Sequence, residues 1–322
     1  MTGAPQPPGL LAAEAAHAQG PTLTVRQIFW RRFFRHRLAV CSLLFLILLA
    51  LASAAAPLVE ALLGVDGNQV DLFNAKQPPS AAHPLGTDEL GRDLLVRLLY
   101  GGQVSLVVGL AAALCAAVIG TLFGLAAGYY GGRLDALLMR FTDGVIALPI
   151  LPLLIILAAV DLSKVGLPQE LVSSESVSLY RIVLLIALVG WTTVARLVRG
   201  ATLSMKTREF VRAAEALGAT APRIMLVHIL PNIVSPIIVA TTLSVGGIIL
   251  LESVLSFLGL GIQPPLPSWG NMLTSAQELI WDAPALAIYP GALIFLTVIA
   301  FNFLGDGLQE ALDPRAGQRR HR

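Results

Sequence analysis

The sequence predicts an all-α, polytopic membrane protein with six transmembrane helices, and three observations predict it. Hydrophobic residues make up 56% and charged residues 13% of the 322 residues, with a mean hydropathy of +0.75; soluble domains carry about 25% charged residues. Six apolar runs of membrane length recur along the chain, separated by polar segments. Basic residues gather on alternate connections between those runs. Length alone would suggest about two soluble domains, but composition overrides it. The net charge of +2 says little beside this placement. Cys41 and Cys115 fall inside apolar runs and read as small core residues. Their spacing makes no disulfide or zinc framework.

Residues 1–37 form a tail. Its first 25 residues are rich in Ala, Pro and Gly, without periodicity, and read as disordered. Arg26–Arg37 then interleaves five arginines with Phe29, Trp30, Phe33 and Phe34. This is the composition of a basic, aromatic anchor beside a membrane. Nucleic-acid binding is the weaker alternative, because an apolar span follows at once. Residues 38–59 are the first span. Ala54–Ala56 mimics a signal-peptidase site, but the preceding region is too long and further spans follow.

Residues 60–100 read as a polar loop carrying a surface helix. Thr87 is its expected N-cap, with Asp88 and Glu89 in the first turn. Leu94, Leu95, Leu98 and Leu99 supply an apolar face, and Asp88–Arg92 and Asp93–Arg97 are i,i+4 pairs. The acids with His83 are a conceivable metal set, but capping and pairing account for them, and no metal is assigned.

Residues 101–305 hold five further spans. In the second span, Gly102–Tyr129, Gly120, Gly124 and Gly128 recur every fourth residue, and Gly132 continues the series. Small residues so spaced admit a second helix, within this chain or from another. Pro149 and Pro152 interrupt the third span, Arg133–Val160, as tolerated where a helix packs in protein or lines a cavity. Asp161–Ser178 is a polar loop. The remaining spans are Tyr180–Leu203, Asn232–Phe257 and Pro284–Leu304. Pro264, Pro265 and Pro267 keep the connection before the last span from being helical at first, and Trp269 and Trp281 read as interface aromatics. Residues 306–322 are a polar, basic tail.

With both termini in the cytoplasm, 17 of the 22 Lys and Arg residues lie inside. Only Lys76, Arg92, Arg97, Lys164 and Arg181 lie outside. The positive-inside rule favours this orientation. It makes 60–100 extracytoplasmic and puts Lys206–Asn232 in the cytoplasm. That segment is the longest polar one in the second half. Arg208, Glu209, Arg212 and Glu215 share helical spacing with Phe210, Val211, Ala214 and Leu217, giving a short amphipathic helix. Gly218 can end it in the left-handed conformation, with Pro222 beyond. A second helix then runs from about Arg223 into the fifth span. The short helix is suited to carry force between two spans, with its apolar face in a partner's groove; lying on the membrane surface is the alternative.

No enzyme signature is present, and no catalytic residue is assigned. The chain has no G-x-x-x-x-G-K-[ST], no H-E-x-x-H and no G-x-S-x-G. Glu252 is the only acid well inside a span, without an obvious partner. A charge at membrane depth faces protein or a wet cavity, so Glu252 either fixes helix packing or serves a pathway or gate. Asp143, Arg196, Arg199, Asn302 and Asp306 stand near span ends and suit anchoring and ion pairing.

Six blocks carry a resemblance. They are HPLGTDELGRDLLVRLLYGGQVSLVVG (83–109), GYYGGRLDALLMRFTD (128–143), WTTVARLVRGATLSMKTREFVRAAEALGA (191–219), HILPN (228–232), ESVLSFLGLGIQPPLPSWGNML (252–273) and NFLGDGLQEALDP (302–314). In this order they resemble the second permease subunit of dipeptide, oligopeptide and nickel importers of the ATP-binding-cassette class. The family's coupling loop begins Glu-Ala-Ala, then Gly, then Ile-x-Leu-Pro. Here Arg212 stands at the Glu position, followed by Ala213, Ala214, Gly218, Leu230 and Pro231, with His228 at the Ile position. Glu209 and Glu215 flank the motif.

The resemblance implies a type I importer permease fold, with 101–305 as the permease core and 206–232 as the coupling loop. It implies a homologous second permease subunit, two ATP-binding subunits and an extracytoplasmic substrate-binding protein as partners, in the plasma membrane. No cofactor is expected on this chain; ATP and Mg belong to the ATPase subunits. The implied function is ATP-driven passage of dipeptides or oligopeptides, with nickel or another small solute as the alternative. A secondary transporter predicts acids in several spans and an internal repeat, and a membrane scaffold predicts no transport.

Overall fold

The computed structural model describes residues 24–160, 162–165, 168, 175–274 and 276–313. The tail before residue 24, most of the loop before the fourth span and the basic terminal residues lie outside the described residues. Among those described, the chain is helical, with one isolated bridge, Thr87–Asp93.

Helix α1, Val25–Phe33, starts with a reciprocal cap between Thr24 and Gln27. Its Phe29 and Phe33 pack on Leu304, Leu308 and Ala311 of the last helix. Helix α2, Arg37–Ala54, is the first span and stops short of the expected residue 59. Pro57, in helix α3, Ala56–Leu63, has no N–H for the Ser53 carbonyl, which instead accepts from Gln103 Nε2 at 2.6 Å.

The expected surface helix does not form. Helix α4 runs unbroken from Leu94 to Tyr130 and takes the leucines of that helix into its first turns, where Leu94 and Leu98 are buried. Its N-cap is Asp93, accepting from the Val96 N–H at 2.8 Å, not Thr87. Thr87 instead bonds Gln77 N and the Asn74 carbonyl. The reason lies in Gly86 and Gly91, at φ +83° and +78°, which turn the chain back; a Cβ at Gly91 would overlap the Asp71 carbonyl. Asp88 caps that turn and pairs with Arg92 at 2.7 Å and Arg97 at 3.4 Å, while Asp93 meets His83 at 3.0 Å. The Asp93–Arg97 pairing gives way to these.

Helices α5, Gly132–Ala147, and α6, Ile150–Ala158, meet at 84° around Pro149. Helix α7 is Glu175–Lys206. Its last residue, Lys206, donates to the Tyr129 carbonyl at the end of α4 at 2.6 Å. Its Arg181, near the other end, donates to the carbonyls of Ala158 and Val160. The bent pair therefore carries the chain from one end of the bundle to the other, and counts as one broken span. Among the described residues, five continuous helices qualify as spans by length and apolarity, and the bent pair makes a sixth when taken as one.

Helix α8 is Glu209–Ala216. A turn at Ala221–Arg223 and a π-helical Ile224–Ile229 lead into α9, Leu230–Phe257. Pro231 lacks the N–H that would close an ordinary turn there. Helix α10, Ala285–Leu312, runs past the expected span end at residue 304 and absorbs the start of the predicted tail.

The most extensive packing is α4 against α7. A Cβ on Gly120 would stand 2.5 Å from the Trp191 carbonyl, and one on Gly124 2.6 Å from that of Ala195. One on Gly128 would stand 2.6 Å from Thr202 Cβ. The glycine stripe is thus filled within the chain. Gly132 is not part of it; at φ +56° it turns the chain into α5. Two other expectations are corrected. Cys41 and Cys115 are exposed, on outward faces of their helices. Trp269 is wholly buried, whereas Trp281 is exposed.

Replacing Gly124 by Val forces a side chain into the α7 backbone and costs about 1–3 kcal/mol. The thermal unfolding midpoint in detergent falls. Gly144→Ala, where a Cβ meets nothing within 4 Å, leaves it unchanged or raised.

Candidate functional site

Helix α8 begins immediately after α7, which is fixed near it by three contacts. Arg199 makes a bidentate pair with Asp135 at 2.5 and 2.6 Å, and Arg196 pairs with Asp143. Lys206 stands 5.1 Å over the Tyr129 ring. These are the anchoring roles expected of Asp143, Arg196 and Arg199. Asn302 bonds back to the Val298 carbonyl of its own helix.

The apolar residues of α8 are not buried alike. Val211 is buried in a cluster with Leu125 and Tyr129 of α4, Val194 and Val198 of α7, and Ile224, Ile229 and Ile233. Ala214 is half-buried. Phe210 remains 45% exposed and Leu217 88% exposed. Glu209, Arg212, Ala213 and Glu215 are exposed as well. One side chain therefore roots the helix, and the rest of its surface is open. Gly218 follows at φ +84°, and a Cβ there would meet nothing within 4 Å. Leu230 is half-buried against the same cluster, and Pro231 is exposed at the start of α9. The π-helical segment touches α8, so Glu209–Gly218 and Leu230–Pro231 form one neighbourhood.

Glu252 lies at the opposite end, wholly buried, apart from these residues. Hydroxyls surround its carboxyl rather than a cation. Ser256 Oγ donates at 2.7 Å and Ser105 Oγ makes a long contact at 3.5 Å, while Ser253 Oγ donates to the Ile249 carbonyl of its own helix at 2.8 Å. The shell continues outward into the 258–274 connection. Ile262 N donates to Ser256 Oγ at 3.1 Å, and Trp269 N donates to Ser105 Oγ at 3.2 Å. The Trp269 indole donates to the Leu98 carbonyl at 3.0 Å. Asn271 Nδ2 bonds the Leu266 carbonyl at 2.8 Å. Gly101 and Gly102 leave room for the indole, and Gly270 lets the connection lie on Ser253. Glu252 thus links α9 to α4 and, through Ser256 and Ser105, to this connection. Sequence reading missed Ser105 and Trp269, and nothing local marks residues up to 164 positions apart as neighbours.

Ser256→Ala removes a donor to Glu252 and an acceptor for Ile262 N. The expected loss is about 1–3 kcal/mol, read as a lower unfolding midpoint with faster proteolysis within 258–274. An unchanged midpoint would show the shell to be dispensable.

Comparison with known proteins adds independent findings. Residues 120–318 match the family model described as binding-protein-dependent transport system inner membrane component. Residues 24–79 match the N-terminal TM domain of oligopeptide transport permease C. The chain is 41% identical over 288 residues to a glutathione transport system permease protein of Pectobacterium atrosepticum, covering 89% of this chain and 90% of that one. It is 39% identical over 285 residues to an oligopeptide transport system permease protein of Haemophilus influenzae, covering 88% and 87%. A Bacillus subtilis oligopeptide transport system permease protein is 36% identical over 310 residues, with 96% of each chain covered.

Proposed function

This chain belongs to the family of binding-protein-dependent transport system inner membrane components and is a permease subunit of an ATP-binding-cassette importer, and from that premise we propose that it passes peptides across the inner membrane. The relatives' names, which speak of oligopeptides and glutathione, support a peptide cargo. Peptides carry amides and charges whose unpaired burial costs several kcal/mol each, so a protein-lined route is required. The partners are a homologous permease subunit, two ATPase subunits that hold ATP and Mg, and an extracytoplasmic binding protein. Both termini and α8 face the cytoplasm, as the 17 of 22 basic residues on that side favour.

The observation that carries the coupling reading is the asymmetry of α8. Val211 roots it in α4, α7 and the approach to α9, while Glu209, Phe210, Arg212, Ala213, Glu215 and Leu217 are left open. An ATPase groove can take Phe210 and Leu217, with Arg212 and Glu215 at the rim. Closure of the two ATPases then pushes α8, and Val211 passes that displacement to the spans. Gly218 keeps the outgoing chain tight beneath the partner, and Leu230–Pro231 set where α9 starts.

Gly218→Trp places a large side chain in space that this chain leaves empty. The left-handed backbone there costs a non-glycine residue roughly 1–2 kcal/mol. Membrane insertion therefore persists, while ATP-driven uptake and co-purification of the ATPases are lost; normal uptake would refute the docking. For orientation, a cysteine replacing Glu209 reacts with an impermeant thiol reagent in inside-out vesicles, not in intact cells. Labelling in intact cells would invert the topology.

A further inference from the structure

Helix α9 stands between two grooves. On one side Leu230, Val234, Ile237, Ile238 and Val245 face Leu114 and Leu122 of α4. Of the three hydroxyls on that flank, Thr241 and Thr242 donate back to the carbonyls of Ile237 and Ile238 at 2.8 and 2.9 Å, and Thr121 is the third. The surface as a whole is apolar and suits lipid chains. On the other side, a groove of about 690 Å³ lies between α7, α9 and α10. Its lining is mostly apolar, and Thr193, Ser235, Ser244 and Gln309 interrupt it. Among the described residues, the side chains of Thr193, Ser235 and Gln309 have no hydrogen-bond partner. Pro236, also in the wall, has no N–H to give the Asn232 carbonyl. Groups of this kind are costly against hydrocarbon. The one charged residue in the lining is Asp313, at the α8 end.

We propose that this groove is the chain's own wall of the solute path, and that it contacts peptide-bond amides through uncharged donors and acceptors. The proposal rests on the importer reading above and deepens it. Hydroxyls and a carboxamide match both halves of an amide. No fixed cation stands in the lining to select an acidic side chain, and the one acid stands at the mouth. The size falls within the range of small-molecule sites, about 300–1,000 Å³. The small residues Ala240 and Ser244 keep the floor low, so side chains of different length pass. The groove reaches the end where α8 lies, where an inward-facing path must open.

The test uses the assembled importer in nanodiscs: this chain, its partner permease and both ATPases. Cys41 and Cys115 are exposed and are first replaced by Ser. Single cysteines are then placed at Ser235 and Ala240, and at Ile238 and Leu122 as the lipid-side pair. An impermeant methanethiosulfonate reagent reacts with the first two and not with the second two. Reaction at Ser235→Cys and Ala240→Cys only when the partner permease is left out would make the groove a subunit interface. No reaction with that reagent, but labelling by a lipid-soluble maleimide, would make it a lipid surface. Either result overturns the proposal. For the amide contacts, uptake of a cysteine-free tetrapeptide pool falls about tenfold in Thr193→Val/Ser235→Ala, where two hydrogen bonds are lost. Unchanged uptake overturns this part. Failure of the importer reading itself shows separately, as absence of the ATPases from the purified complex or of pool uptake by the unaltered importer.

Discussion

The close approach of α4 and α7 is the constraint on which the other positions depend. Three glycines let two backbones meet where any side chain would overlap a carbonyl or a Cβ. Between apolar helices in lipid there is little hydrophobic drive to associate, so such packing must supply the stability. It also sets register. With the helices locked along three successive turns, Lys206 falls at Tyr129 and Arg199 falls at Asp135. The site of α8 follows, because Val211 sits in a cluster built from the same two helices. Loss of one glycine contact would thus be felt at α8 as well as in the bundle.

The two ends of the molecule are held by different chemistry. At the α8 end, ion pairs and a single buried valine position an open helix. At the other end, a buried carboxyl with Ser105 and Ser256 holds a folded-back connection with Trp269 as its wedge. The first arrangement leaves a helix surface open. The second pairs the carboxyl, the two hydroxyls and the connection's backbone with one another inside the bundle. The bent pair α5–α6 lies beside them, its break at Pro149 carrying the chain between the two ends.

Much of this was legible in the sequence because the bilayer permits few solutions. Apolar runs of set length and the α8–Gly218 pattern are local signals, and each has its counterpart in the fold. The misreadings came where tertiary contact outweighs local pattern. Asp88 and Glu89 read as the first turn of a helix, but Gly86 and Gly91 turn the chain so that Asp88 serves Arg92 and Arg97. Trp269 read as an interface aromatic because its partners, Leu98 and Ser105, are far away in sequence. The amphipathic spacing of α8 was right, yet it could not say that Val211 turns inward while Phe210 and Leu217 stay out. Cys41 and Cys115 sit in apolar runs, and a run that crosses lipid gives no sign of which face looks outward.

Val211 carries a mechanical consequence. A short rod pinned by one side chain acts as a ball joint: it passes on a thrust along its length while its outer surface swivels. A tilt of that surface is therefore absorbed before it reaches the spans.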